Sequence, residues 1–195
     1  AKTFYGFENI LCKEFKKINA IDVIKSNRIV HFKGDKELMY KANLCLRTAL
    51  KILIPLENKK VLNYEALYKF AFDFEWENYF HKDSSFYINS VCFGKYFTHS
   101  LYVSQRVKDG IVDRFRKLKG IRPAVEKFKP DIYIDVHIDK KSCTFSLNSS
   151  GKNLNQRGYR KKTNEAPLNE VLASGLILLS SWNKKDDFLD PMCGS

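Results

Sequence analysis

No run of eighteen apolar residues occurs in the 195-residue chain, so no segment reads as a membrane-spanning helix, and no N-terminal stretch reads as an export signal. Cysteine is scarce and scattered, with five residues at positions 12, 45, 92, 143 and 193. An odd count without a CxxC pair forms neither a disulfide framework nor a zinc ligand set, and the four histidines are equally dispersed. This usage implies reduced, structural thiols in a cytoplasmic protein and no bound metal. No internal repeat, low-complexity segment or hydrolase-like Ser/His/Asp or Cys/His spacing is visible. Acid is also short: 22 Asp and Glu stand against 34 Lys and Arg, and no acid occurs between Lys140 and Asn164.

That imbalance leaves a net charge of +12. A surplus of this size implies an anionic partner, most often nucleic acid. A hydrophobic share of 44% with 29% charged residues is that of a soluble globular chain. The length permits one large domain or two small ones, with enough burial for a real core. Most of the fifteen Phe and ten Tyr must lie in it.

Residues 3–57 read as strand, helix, strand, strand, helix, strand, the βαββαβ order of a ferredoxin-like unit. Thr3 to Phe7 is a short aromatic strand. Phe7, Ile10, Leu11, Phe15 and Ile18 form a helical stripe, and Ser26-Asn27 is a hairpin turn between two β-rich segments. Asp35 is placed to cap a second helix, and Lys51 to Leu56 is a final apolar strand. The polar Asn58-Lys59-Lys60 reads as a joint between domains. Beyond it come a helix over 64–72, an aromatic and acidic turn over 75–80, and a strand over 86–93. A strong helix follows, capped by Ser104 and stopped by Gly120. Ile132, Ile134, Val136 and Ile138 alternate as one face of a strand, and Thr144 to Leu147 is another. The alternation of helices and strands is that of a mixed α/β sheet. Asp135, His137 and Asp139 then fall on the opposite face, a solvated or RNA-facing surface rather than a metal or acid–base site.

The closing stretch, 157–195, combines a basic loop, an apolar helix and a small-residue turn. Arg157, Arg160, Lys161 and Lys162 lie within six residues, with Tyr159 among them. Pro167 fits a first helical turn, and Leu168, Leu172, Leu176 and Leu179 recur at helical spacing. Asp187 to Asp190 reads as a brief buried strand, broken by the Pro191-Met192-Cys193-Gly194-Ser195 turn.

The run RGYR (157–160), APLNE (166–170) and DPMCGS (190–195) closely resembles the THUMP-domain RNA guanine-N2-methyltransferases. So does RVKDGIVDRFR (106–116), followed by RP and by the PD strand at 130–131. In the second pattern Gly110 replaces the family's alanine, at a cost of about 1 kcal/mol in helix propensity. GFE (6–8) and NLCLRTA (43–49) are weaker matches to the family's ferredoxin-like extension. The resemblance implies an α/β (α+β) chain: a ferredoxin-like domain over 1–58, a THUMP RNA-binding domain over 59–163, and over 164–195 the linker helix and first strand of a truncated Rossmann-like methyltransferase domain. It also assigns Asp190, Pro191, Gly194 and Ser195 to an S-adenosylmethionine turn whose catalytic partners lie beyond Ser195. The chain is therefore expected to be an inactive piece of a longer enzyme. That enzyme would methylate guanine N2, in ribosomal rather than transfer RNA. A non-catalytic RNA-binding module, a 4-thiouridine synthetase and a DNA adenine methylase are the alternatives.

Two cationic sets are candidates for RNA contact: Arg106, Lys108, Arg114, Arg116, Lys117, Lys119 and Arg122 on and after the third long helix, and Lys152, Arg157, Tyr159, Arg160, Lys161 and Lys162 around the loop. Lysine supplies charge to phosphates, while planar Arg adds bidentate grip and stacking. For the helix the alternative is a solvated face; for Arg157 it is a structural link to a strand end. The apolar segment 165–195 is expected to pack on the chain's own THUMP domain, to pack on a second copy or to be mobile, with a symmetric contact between copies favoured.

Overall fold

The structure, a computed structural model, describes residues 1–158 and 167–191. The chain divides into two compact units, one of residues 1–52 with 149–195 and one of residues 53–148.

The first unit contains β1 (Lys2–Thr3), α1 (Glu8–Lys17), β2 (Ile21–Ser26), β3 (Ile29–Lys33), α2 (Lys36–Cys45) and β4 (Ala49–Lys51). The four strands form an antiparallel sheet in the order β2-β3-β1-β4. That is the ferredoxin-like arrangement anticipated from the βαββαβ order. Its core joins Leu11 and Phe15 of α1 to Val30, Ala42, Leu46 and Ile52, with Phe15 stacked on Phe32 at 4.2 Å. Asp35 caps α2 as expected, accepting from Leu38 N at 2.8 Å. The first strand is shorter than anticipated, because Phe7 is already the N-cap of α1. Gly6 turns at φ +88°, and Glu8 accepts from Gly6 N and Arg28 N, both at 2.9 Å. The hairpin turn falls at Asn27-Arg28, with Arg28 rather than Ser26 taking the left-handed conformation.

After residue 148 the chain rejoins this unit around Asn43. The Asn43 amide donates to Ser149 Oγ at 3.0 Å and its carbonyl accepts from Ser150 Oγ at 2.7 Å. Leu154, in a short 3₁₀ turn over Leu154–Gln156, closes the core. Helix α5 (Glu170–Leu179) begins three residues later than Pro167, capped by Asn169. Its buried face is Val171 and Gly175 rather than the leucine stripe: a Cβ on Gly175 would lie 2.0 Å from Phe7 Cε2. The helix therefore packs on α1's own unit. The strand expected over 187–190 does not form, and Phe188 and Leu189 are exposed. Among the described residues no strand lies beside this short apolar stretch to supply ladder hydrogen bonds.

The second unit contains β5 (Leu53–Lys60), α3 (Tyr64–Asp73), a 3₁₀ turn (Trp76–Asn78), β6 (Phe86–Phe93), α4 (Ser100–Lys119), β7 (Ile132–Asp139) and β8 (Ser142–Asn148). Its sheet runs β5-β8-β7-β6, with β6 and β7 parallel and the other pairs antiparallel. The apolar segment from Lys51 to Leu56 is split between the two sheets, and the joint expected at 58–60 is the last part of β5. Phe70 stacks on Phe145 at 4.2 Å, and Trp76 is fully buried with its Nε1 donating to Ala71 O.

Helix α4 starts at Ser100, four residues before the expected cap. Ser104 sits inside it and shares a hydrogen bond with Ser90 Oγ at 2.7 Å. Gly120 ends it in the left-handed conformation, φ +67°. The solvated face expected for β7 is not wholly solvated: Asp135 is 3% exposed and accepts from Asn89 Nδ2 at 3.1 Å. Among the described residues no helix is long and apolar enough to cross a membrane.

Candidate nucleic-acid interface

Helix α4 presents its cations along the seam with α3. Val103, Val107, Gly110, Ile111 and Phe115 face inward, which leaves positions 106, 113 and 117 beside α3 and 108, 116 and 119 outward. A Cβ on Gly110 would meet Ala71 Cβ and Tyr68 O at 2.8 Å, so the helices touch backbone to backbone there. The glycine is a packing residue, and its propensity cost alone misjudges it.

Along that seam the Arg106 guanidinium lies 4.7 Å from the Tyr68 ring centroid and bonds Glu65 at 3.0 Å. Tyr68 donates to Asp113 at 3.0 Å; burial and this bond push its hydroxyl pKa up. Lys117 lies 5.4 Å over the Phe72 ring. Lys108 pairs with Asp109 at 2.8 Å, and Arg116 with Asp113 at 3.4 Å. These cations are held in place by ring faces and acids, and only part of their charge faces solvent.

Arg114 has a different role. Its guanidinium takes the Glu77 carboxylate at two points, and Nη1 donates to Phe72 O and Asp73 O at 3.1 Å each. All three of its nitrogens serve the fold, so it is a structural residue of the second unit. Arg157 likewise donates to Asn43 O at 2.6 Å, tying the returning chain to the end of α2. This is a structural link, made to a helix end rather than to the strand end expected for that residue. Lys119, Arg122 and Lys152 are exposed. Tyr159, Arg160, Lys161 and Lys162 lie outside the described residues, as do Gly194 and Ser195.

Asp190 and Pro191 are described and exposed, with no strand beneath them. A cofactor of this size is normally enclosed by walls from several elements. At Asp190 and Pro191 the described chain is exposed, and the remainder of the expected turn lies outside the described residues.

A further cationic surface was not anticipated. Lys60, Lys95, Lys140 and Lys141 line a groove at one end of the second sheet. The signal available in the sequence was the Lys140-Lys141 pair between two strands, which places both at a hairpin tip.

The sequence matches the RlmL ferredoxin-like domain over residues 1–53, the THUMP domain over 62–148 and the RMKL-like methyltransferase domain over 157–195. The fold is similar to that of a predicted N6-adenine-specific DNA methylase from Listeria monocytogenes, with 29% identity, a TM-score of 0.84 and coverage of 100% of this chain and 51% of that one. SMU.472, described as a methyltransferase and solved with SAH, shows 27% identity, a TM-score of 0.84 and the same coverage. A protein from Clostridium difficile described as a methylase has 27% identity and a TM-score of 0.77, over 93% of this chain and 48% of that one. The chain thus spans about half the length of these solved proteins. A ferredoxin-like domain, a THUMP domain and the opening of a methyltransferase domain follow one another along one sequence, and these matched segments are those of the THUMP-domain RNA methyltransferase family.

Proposed function

We propose that the chain is the RNA-binding region of an S-adenosylmethionine-dependent enzyme that methylates guanine N2 in ribosomal RNA. The observation that carries this reading is the order of the three matched segments. A methyltransferase domain follows a THUMP domain along the chain. S-adenosylmethionine is the donor, a choice supported by the SAH complex of a relative with the same fold. Structured RNA would be held through its phosphates by exposed cations of the second unit, together with Arg160, Lys161 and Lys162. The target base would be turned out of its stack to reach a domain outside this chain. Transfer RNA is the nearest rival substrate. DNA adenine is the rival of a different class, favoured by the description of the Listeria relative.

Nucleoside mass spectrometry of a strain lacking the gene tests the reading. Loss of N2-methylguanosine from ribosomal RNA is expected. Its loss from transfer RNA alone overturns the substrate, and loss of N6-methyladenine from DNA overturns the class. Binding is tested separately with the chain itself. Reversing charge at Arg160, Lys161 and Lys162 is expected to weaken RNA binding, and to flatten its salt dependence by about one unit of log–log slope for each phosphate no longer neutralised. Unchanged affinity and slope would remove the loop from the interface.

A further inference from the structure

Lys60, Lys95, Lys140 and Lys141 are far apart in sequence, yet they line one groove of about 870 Å³ with Tyr96 and a single acid, Asp139. Strand pairing explains the convergence. β6 and β7 are parallel, with Phe93 aligned on Asp139, so both leave the sheet at the same end. Asp139 pairs with Ser142 across the turn, and Ser142 pairs with Lys60 at the end of β5. Lys140 and Lys141 are the two residues of that turn.

The chain leaving β6 is drawn against the same turn. Lys140 N donates to Phe93 O at 2.8 Å. A Cβ on Gly94 would lie 3.1 Å from Lys140 Cα, and its φ of +112° suits glycine alone. Lys95 and Tyr96 therefore emerge beside Lys140 and Lys141. The ammonium groups of Lys95 and Lys141 lie 5.6 and 4.7 Å from the Tyr96 ring centroid. The negative face of the ring offsets part of their mutual repulsion and gathers them. Among the described residues none of the four lysines is in an ion pair, whereas Arg106, Lys108 and Arg116 of α4 each face an acid. The groove's lysines are thus less neutralised than those three cations, and they lie at the carboxyl ends of parallel strands, where α/β sheets meet phosphorylated ligands.

We propose that this groove is a phosphodiester-binding track that takes successive backbone phosphates of an RNA strand, with Lys95 and Lys141 at its centre and Lys60 and Lys140 at its rims. Lysine suits that role, because an ammonium contacts phosphate oxygens as a point charge and reads no base. The proposal rests on the RNA-binding reading above.

The test is filter binding of an RNA stem-loop across a potassium chloride series. The full chain is compared with Lys95→Ala/Lys141→Ala and with Lys13→Ala/Lys17→Ala, a pair on α1 that removes the same net charge. The groove variant is expected to lose about tenfold in affinity at low salt, with a slope flatter by about two, one for each phosphate bound. The α1 pair is expected to bind as wild type. Tyr96→Leu, which keeps every charge but frees the two ammonium groups, is expected to weaken binding less than the double variant. Far-UV circular dichroism confirms that each variant folds. Equal losses in the two double variants, or none in either, overturn the groove and leave RNA binding standing. A wild-type chain that binds no RNA overturns both. Calorimetry with inorganic tripolyphosphate separates the sources: binding of that anion without RNA binding shows a polyphosphate site and overturns the assignment to RNA.

Discussion

The Arg114 guanidinium grips the Glu77 carboxylate at two points, Nε to Oε2 at 2.8 Å and Nη2 to Oε1, and turns its third nitrogen to the last carbonyls of α3. Both side chains are mostly buried, at 15% and 27% exposure. One residue of α4 thereby closes α3 and the aromatic turn behind it.

Removing that residue leaves a carboxylate and two carbonyls without their donor. Arg114→Ala is expected to cost about 2–3 kcal/mol in urea denaturation, and Arg114→Lys most of that, because an ammonium cannot reproduce the fork. The Arg114 hydrogen bonds hold the Glu77 carboxyl below its ordinary value of 4.5. A lowered folded value means that the contribution is complete above the ordinary value of 4.5 and is lost as pH falls through the folded value. The stability difference between wild type and Glu77→Gln should therefore be largest near neutrality and shrink on acidification below the ordinary carboxylate value. A difference constant with pH would show that the pair contributes nothing through its charge.

Gly110→Ala would normally gain about 1 kcal/mol inside a helix. Here its Cβ would lie 2.8 Å from Ala71 Cβ and Tyr68 O, so the two helices must separate. The substitution is expected to destabilise by about 1–3 kcal/mol. Ala71→Gly in the same chain should recover part of the loss. Thermal unfolding of the three variants checks this, and a more stable Gly110→Ala would show that the seam yields without cost.

Burial pushes the Cys143 thiol up to about 12. At pH 8 about one thiol in ten thousand is then ionised, and it is shielded as well. Cys45 is exposed. Iodoacetamide labelling followed by peptide mass spectrometry is expected to modify Cys45 quickly, and Cys143 only in urea. Fast native labelling of Cys143 would mean that β8 opens readily.

Leu176 and Leu179 of α5 are 50% and 53% exposed, although Val171 is buried and Gly175 of the same helix is packed on Phe7. Two such faces related by a two-fold axis would remove each other from water. Light scattering of the chain is expected to show mass rising with concentration, and Leu176→Gln/Leu179→Gln to abolish the rise. A monomeric mass for both at high concentration would end the self-association proposal.

Local chemistry, which needs only near neighbours in the chain, was legible in the sequence by itself. Asp35 caps α2, Gly120 ends α4, the period-two face of β7 is buried, and the βαββαβ order gives the ferredoxin-like sheet. Each follows from a side chain reaching backbone a few residues away, or from a repeat matching the geometry of its element. Tertiary structure decided what depends on partners distant in sequence. The stretch from Lys51 to Leu56 is one apolar run, yet its two halves pair with different sheets. Arg114 resembled its neighbours in charge, and only the position of Glu77 made it structural. Lys60, Lys95 and the Lys140-Lys141 turn became one surface because parallel β6 and β7 and antiparallel β8 and β5 bring their ends together. Composition states how much charge a chain carries, but strand pairing decides where that charge is concentrated.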